Sequence, residues 1–271
     1  MTPAALVPAM PHLLAGDPAE SWAELAAATR TVGDRLRAAG VDTVLLLSTH
    51  WFTVLGHQVQ CDDRLRGRRT DENWYAYDYG HLDHDLTVDT ELAHAWADAI
   101  DAAGMQARRT RYDGFPVDTG AVVASRLLDP SGNGRWAQVS CNLYAEASAM
   151  TEVAAAGVRA AAGLGRRLGV VAVSGLSSGL TPRWIRPSQD RVEPEHDRWN
   201  RKVLDAIRTG DRAAVLAMRE EFAAAAQADS QFRAFAFLAG SGAVDGPGEV
   251  LAYGPVWGTG AAVVWWTGQE S

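Results

Sequence analysis

Thr43-Val-Leu-Leu-Leu-Ser-Thr-His-Trp51 is the stretch on which the reading of the fold turns. Thr43–Ser48 is an apolar run of strand length without a polar face, the pattern of a sheet strand covered on both sides by helices. Upstream, Glu20–Ala39 is rich in Ala and Leu at helical spacing and Gly40 supplies a C-cap, while Ala5–Met10 is a short buried strand. Downstream the alternation continues with helix Glu91–Ala103 ending at Gly104, strand Ala107–Tyr112, and helix Gly120–Leu128 stopped by Pro130. Strand Ala137–Asn142, helix Thr151–Leu168 and strand Gly169–Ser174 follow. Residues 53–58 read as an edge-like strand, 60–86 as a long functional loop, and 181–190 as a Pro-, Arg- and Trp-containing loop. Pro194–Thr209, Asp211–Ala226 and Ser230–Gly240 read as three helices, and Val250–Trp266 as a closing hairpin. This order predicts one α/β domain over residues 1–271, with a mixed central sheet flanked by helices.

Composition narrows the function classes. The chain has 271 residues, is 47% hydrophobic and carries a formal net charge of -8. No basic stripe exists to neutralise phosphates, so neither nucleic acid nor an anionic membrane surface is an expected partner. The Arg64–Arg69 cluster sits beside Asp62, Asp63 and Asp71 and reads as a solvated loop. Cys61 and Cys141 are far apart, which argues against a disulfide framework and for a cytoplasmic location. Pro3, Pro8 and Pro11 interrupt an N-terminus that has no Lys or Arg before Arg30, so no secretory leader is expected. Ten tryptophans point to aromatic pockets or a partner interface.

Ligands of α/β sheets sit beyond the C-terminal ends of strands. Two histidines occupy such positions, His12 after the first strand and His50 after the Thr43–Ser48 strand. Paired imidazoles there, joined by one carboxylate, would make the facial triad of a non-haem ferrous oxygenase. The plainer reading is two hydrogen-bonded buried histidines.

Five ordered motifs carry a resemblance: Pro11-His12, Ser48-Thr49-His50-Trp51, Val117-Asp118-Thr119-Gly120, Ser174-Gly175-Leu176-Ser177-Ser178 and the Phe232–Gly240 helix. Together they resemble the class III (LigB-like) extradiol ring-cleavage dioxygenases, from about Leu6 to Gly268. The resemblance implies ferrous iron held by two histidines and a glutamate, and two further histidines near the substrate. His12 and His50 match the first pair. Thr119 stands where the resemblance implies the histidine of an Asp-His-Gly segment, and Ser178 where it implies the acid/base. Gln231 aligns with the glutamate, and Glu220 and Glu221 lie too far upstream to replace it. Neither hydroxyl titrates near neutral pH, and loss of a general base typically costs about 100- to 10,000-fold in rate.

The pattern resembles the accessory, non-catalytic alpha-type subunit of the two-subunit aminophenol dioxygenases. The implied role is support of a homologous catalytic subunit that holds the ferrous iron and cleaves an aminophenol or catechol-like ring. Metal in this chain would be absent or weakly held by His12, His50 and Gln231. Two alternatives stay open: a self-sufficient dioxygenase using those three residues, and a non-enzymatic homologue that binds an aromatic ligand or regulates another protein.

Other features have plainer readings. His81 and His84 read as a polar loop near a pocket mouth rather than a second metal site. Gly254–Gly260 lacks a phosphate-loop lysine and reads as a turn, and Cys141 as a buried thiol. Nothing in the sequence gives His57, His94 or His196 a role. Adjacent Trp265 and Trp266 face opposite sides of a strand, so at least one needs a second layer or a partner to cover it.

Overall fold

The computed structural model describes residues 2–71, 73–74 and 82–268. Its centre is the run that opened the sequence reading, now strand β2 (Thr43–Thr53). β2 lies between two parallel partners, β7 (Arg135–Asn142) and β8 (Leu168–Val173). β1 (Ala4–Val7) pairs parallel with β8, and the hairpin β9 (Glu249–Val256) and β10 (Thr259–Trp266) closes that edge antiparallel to β1. At the other edge, β4 (Arg64–Arg69) and β5 (Leu82–Val88) continue from β7, while β3 (His57–Gln60) and β6 (Ala107–Thr110) branch from it. Among the described residues the result is a mixed sheet of ten strands.

Helices α1 (Glu20–Ala38) and α3 (Thr119–Leu128) pack on each other, α3 against β2 and α1 against β9 and β10. α2 (Thr90–Ala102), α4 (Ala147–Gly163) and α8 (Arg233–Gly240) form a second group against β1, β2, β7 and β8. Between them, Val44–Leu47 of β2 are buried on both faces, which is why that run has no polar alternation. α5 (Pro194–Thr209), α6 (Arg212–Ala217) and α7 (Arg219–Ala226) pack beside the hairpin and α8. Among the described residues, no helix is long and apolar enough to cross a membrane.

Several expectations need correction. Residues 60–86 are not one loop, since β4 and β5 pair antiparallel across it. The signal was period-two alternation: Leu65, Leu82, Leu86 and Val88 are buried, while Arg64 and Arg66 pair with Asp85 and Arg68 with Asp83. The Arg64–Arg69 segment is therefore a strand, and His84 lies on β5. His81 falls outside the described residues. The edge-like strand expected over residues 53–58 divides, its first residue ending β2 and its last two opening β3. The Asp211–Ala226 helix breaks at Met218 into α6 and α7. Six of the ten tryptophans are buried in the core, including Trp265 and Trp266. Trp265 is covered by the Arg35 guanidinium of α1 and Trp266 by Phe235 of α8, so a second layer covers the pair without a partner chain.

His57, at the start of β3, is 4% exposed, and its Nδ1 has no hydrogen-bond partner among the described residues. Burial pushes this imidazole down to about 4. The unfolded chain takes up a proton below about pH 6.5 while the native chain does not, so native stability falls as pH drops from about 6.5 to 4 and is unaffected above it. His57→Gln should shrink the stability difference between pH 7 and pH 5 by about 2 kcal/mol, read from denaturant titrations at both pH values.

Candidate functional site

The parallel ladders fix where the site can be. Val7 of β1 is opposite Val173 of β8, and Val173 is opposite Ser48 of β2, so three adjacent strands reach one level together. Three connections leave from that level: Pro8 to Leu14, Thr49 to Trp51 and Ser174 onward. His12 lies in a short 3-10 turn, Pro11–Leu14, opened by a proline. In β2 the pairing with β7 jumps from Ser48↔Ser140 to Phe52↔Cys141, so Thr49, His50 and Trp51 bulge out of the ladder. Bulges redirect side chains at sheet rims, and this one leaves His50 exposed.

His12 is fully buried, with its ring 4.8 Å from that of Trp22, 4.5 Å from Trp74 and 5.5 Å from Trp257. Burial among these indoles pushes the imidazole down to about 3, so it is neutral at physiological pH. The enclosure is locked by Asp190, 2% exposed. Its carboxylate accepts from Trp22 Nε1 at 2.8 Å, from Trp257 N at 2.6 Å and from Gly258 N at 2.7 Å. Trp257 (φ 55°) and Gly258 (φ 84°) form the two-residue turn between β9 and β10, where only the glycine adopts positive φ without strain. The turn expected over Gly254–Gly260 narrows to Trp257 and Gly258, with Gly254–Val256 ending β9 and Thr259–Gly260 opening β10.

Asp118 ties α3 to the sheet. Its Oδ1 accepts from Ala121 N as a helix N-cap and from Ser48 Oγ at 2.6 Å, and its Oδ2 accepts from Gln138 Nε2. Gly120 is needed because a Cβ there would lie 2.8 Å from Ser48 Oγ. Between them, Thr119 donates from Oγ1 to Asp71 Oδ2 at 2.7 Å and accepts from Arg69 Nε at 3.3 Å. The hydroxyl is thus engaged in a bridge between two elements.

Asp229 holds the third connection. Its Oδ2 accepts from Thr49 Oγ1 at 2.8 Å, from Ser174 Oγ at 2.9 Å and from Gly175 N at 2.9 Å. The carboxylate beside the His50 bulge is therefore Asp229, two residues before the aligned position. Gln231 itself is exposed, and its carbonyl accepts from Arg219. The expected Ser230–Gly240 helix starts only at Arg233, because Ser230, Gln231 and Phe232 all have positive φ. Ser178 is half-buried and its N–H donates to Gln227 O. The His196 ring lies against neighbouring Gly179, a proximity across 17 positions that the sequence did not signal.

A cavity of about 760 Å³ opens at this level, lined by Thr49, His50, Arg69, Asp71, Trp74, Thr119, Arg183, Trp184 and Trp257 among others. His12, Ser178 and Gln231 are not in its lining; the indoles of Trp74 and Trp257 stand between it and His12.

Residues 5–263 match the family described as the catalytic LigB subunit of aromatic ring-opening dioxygenase. The chain belongs to the LigB family. It is 35% identical to the 2-aminophenol 1,6-dioxygenase alpha subunit of a Pseudomonas species, over 94% of each chain. It is 26% identical to the beta subunit named for the same activity, also from a Pseudomonas species, over 96% of this chain and 92% of that one. An uncharacterized Escherichia coli K12 protein shares the fold at a TM-score of 0.70 and 12% identity, covering 98% of this chain and 99% of that one.

In this LigB chain the described side chains do not fit a ferrous centre. Among them, no group of three or more His, Cys, Asp or Glu is placed to hold a metal ion. His12 is enclosed by indoles, His50 faces the cavity and Asp229 is occupied by four donors. The Asp190 lock is testable by itself. Asp190→Asn turns an amide NH2 towards one of three N–H donors and should cost about 2 kcal/mol of stability. Denaturant titration followed by tryptophan fluorescence reads the loss.

Proposed function

We propose that this chain is the accessory, non-catalytic subunit of a two-subunit, cytoplasmic extradiol dioxygenase that opens an aminophenol or catechol-like ring. In this reading a homologous catalytic subunit supplies the ferrous iron and both acid/base histidines. The observation that carries the reading is the enclosure of His12 by Trp22, Trp74 and Trp257, which closes off the first residue of the implied ligand set. Thr119 supports it, since its hydroxyl is bound between Asp71 and Arg69 and does not titrate near neutral pH. So does the likeness to an alpha subunit along nearly the whole chain.

A subunit needs a surface for its partner. The projecting end of β2 exposes Phe52 (59%), Val54 (53%) and Leu55 (81%), with Tyr144 (77%) on the adjoining connection. Tyr112 (51%) extends this apolar face through Phe115 to Trp51. A permanent heteromer would bury at least about 1,600 Å² in total, and this face is where we place its centre.

The experiment is expression of the chain alone, and together with a LigB-type chain that carries both histidine ligands and the glutamate. Oxygen uptake and absorbance of ring-opened product are followed with 2-aminophenol and catechol. The chain alone, supplied with ferrous iron, should show no turnover, while the pair should co-migrate in gel filtration and turn over. Turnover by the chain alone at ordinary enzymatic rates overturns the reading. Leu55→Asp and Tyr144→Asp should separate the pair while leaving the melting temperature of the isolated chain within about 2 °C, because both side chains are exposed.

A further inference from the structure

The cavity carries a charge pattern that an accessory role leaves unused. Strand alternation on β4 sends Arg64, Arg66 and Arg68 to one face, where Asp83 and Asp85 neutralise them. Arg69 falls on the other face and lines the cavity. Its Nε–H is held by Thr119 Oγ1, which leaves the two terminal amino groups of the guanidinium without a carboxylate among the described residues. Arg183, on the connection after β8, lines the same cavity and is likewise in no ion pair among the described residues.

Asp71 also lines the cavity, but its carboxylate is committed. Oδ2 accepts from Thr119, Oδ1 from the Asn73 backbone and side-chain amides, and the residue is 7% exposed. Among the described residues, the lining charges without a counter-ion are therefore the two guanidiniums. At the mouth stands the indole of Trp184, 64% exposed, while Trp257, also in the lining, is 5% exposed. The volume of about 760 Å³ is ample for one small planar molecule.

We propose that this cavity binds a planar, conjugated monocarboxylate. The carboxylate lies on Arg69 and Arg183, where the planar fork of a guanidinium matches two oxygens, and the flat body lies against the exposed Trp184 indole. Two sources share that chemistry: an aromatic acid, and a ring-opened chain in which cleavage has left a carboxylate conjugated to double bonds. A neutral aminophenol offers the guanidiniums no charge. The inference stands on the cavity alone, and its test needs neither a partner subunit nor turnover.

The test is titration of the purified full chain with benzoate, 2-aminobenzoate, sorbate and 2-aminophenol, followed by tryptophan fluorescence and calorimetry. At least one carboxylate should bind saturably, with a Kd below about 1 mM. 2-Aminophenol should bind at least about tenfold more weakly, and added salt should weaken only the carboxylates. Benzoates without sorbate identify an aromatic acid as the ligand class; sorbate without benzoates identifies the ring-opened class. Arg69→Gln and Arg183→Gln should each weaken carboxylate binding about tenfold and leave 2-aminophenol binding unchanged. Arg183 is exposed and makes no hydrogen bond among the described residues, so its variant keeps the test sound if Arg69→Gln disturbs Thr119. Absence of saturable carboxylate binding, equal binding of 2-aminophenol, or indifference to Arg183→Gln overturns the proposal.

Discussion

Three parallel strands are compelled to end together, and the rest of the site follows from that. The hydrogen-bond register sets Val7, Val173 and Ser48 at one level. A slip by one residue would swap the helix layer that each doubly buried side chain packs against. Whatever follows those residues is brought to the same rim. That is why segments near positions 12, 50 and 175, distant in sequence, come to one end of the sheet.

Buried carboxylates then convert a rim of connections into a rigid surface. Asp118 gathers β2, β7 and the start of α3; Asp229 gathers the ends of β2 and β8; Asp190 gathers α1 and the β9–β10 turn. Asp118 and Asp190 each accept from three donors and Asp229 from four, so their charges are compensated by hydrogen bonds rather than by a cation. Around Asp229 the backbone visits positive φ at Gln227 and at Ser230, Gln231 and Phe232, and each such residue costs about 1–3 kcal/mol. The four hydrogen bonds to its carboxylate help offset that strain.

The surface so built combines features that point in different chemical directions. The imidazole of His12 is sealed behind indoles, while Arg69 and Arg183 face the cavity. A neutral, desolvated imidazole gives an apolar wall its stiffness, and guanidiniums give an open cavity a preference for anions. In this LigB chain the cavity is thus lined by two guanidiniums that make no ion pair among the described residues. Fold and site are separable in this way because the sheet register depends on the core and not on the residues beyond its edge.

The sequence determined what depends on short-range pattern. The apolar run at Thr43–Ser48, the helical spacing of Glu20–Ala39 and the alternation of strands and helices gave the α/β architecture. The order of the motifs at His12, His50, Asp118 and Ser174 gave the family resemblance. Tertiary structure alone decided what depends on partners far along the chain. Arg69 looks like one charge in a solvated cluster until cross-strand pairing claims its neighbours and leaves it facing inward. Trp265 and Trp266 leave a second layer and a partner both open until α1 and α8 cover them. Gln231 aligns as a ligand until left-handed backbone delays the helix, leaves its side chain in solvent and puts Asp229 against Thr49. Each outcome is set by hydrogen bonds and packing between residues tens to hundreds of positions apart, and a local window of sequence does not contain them.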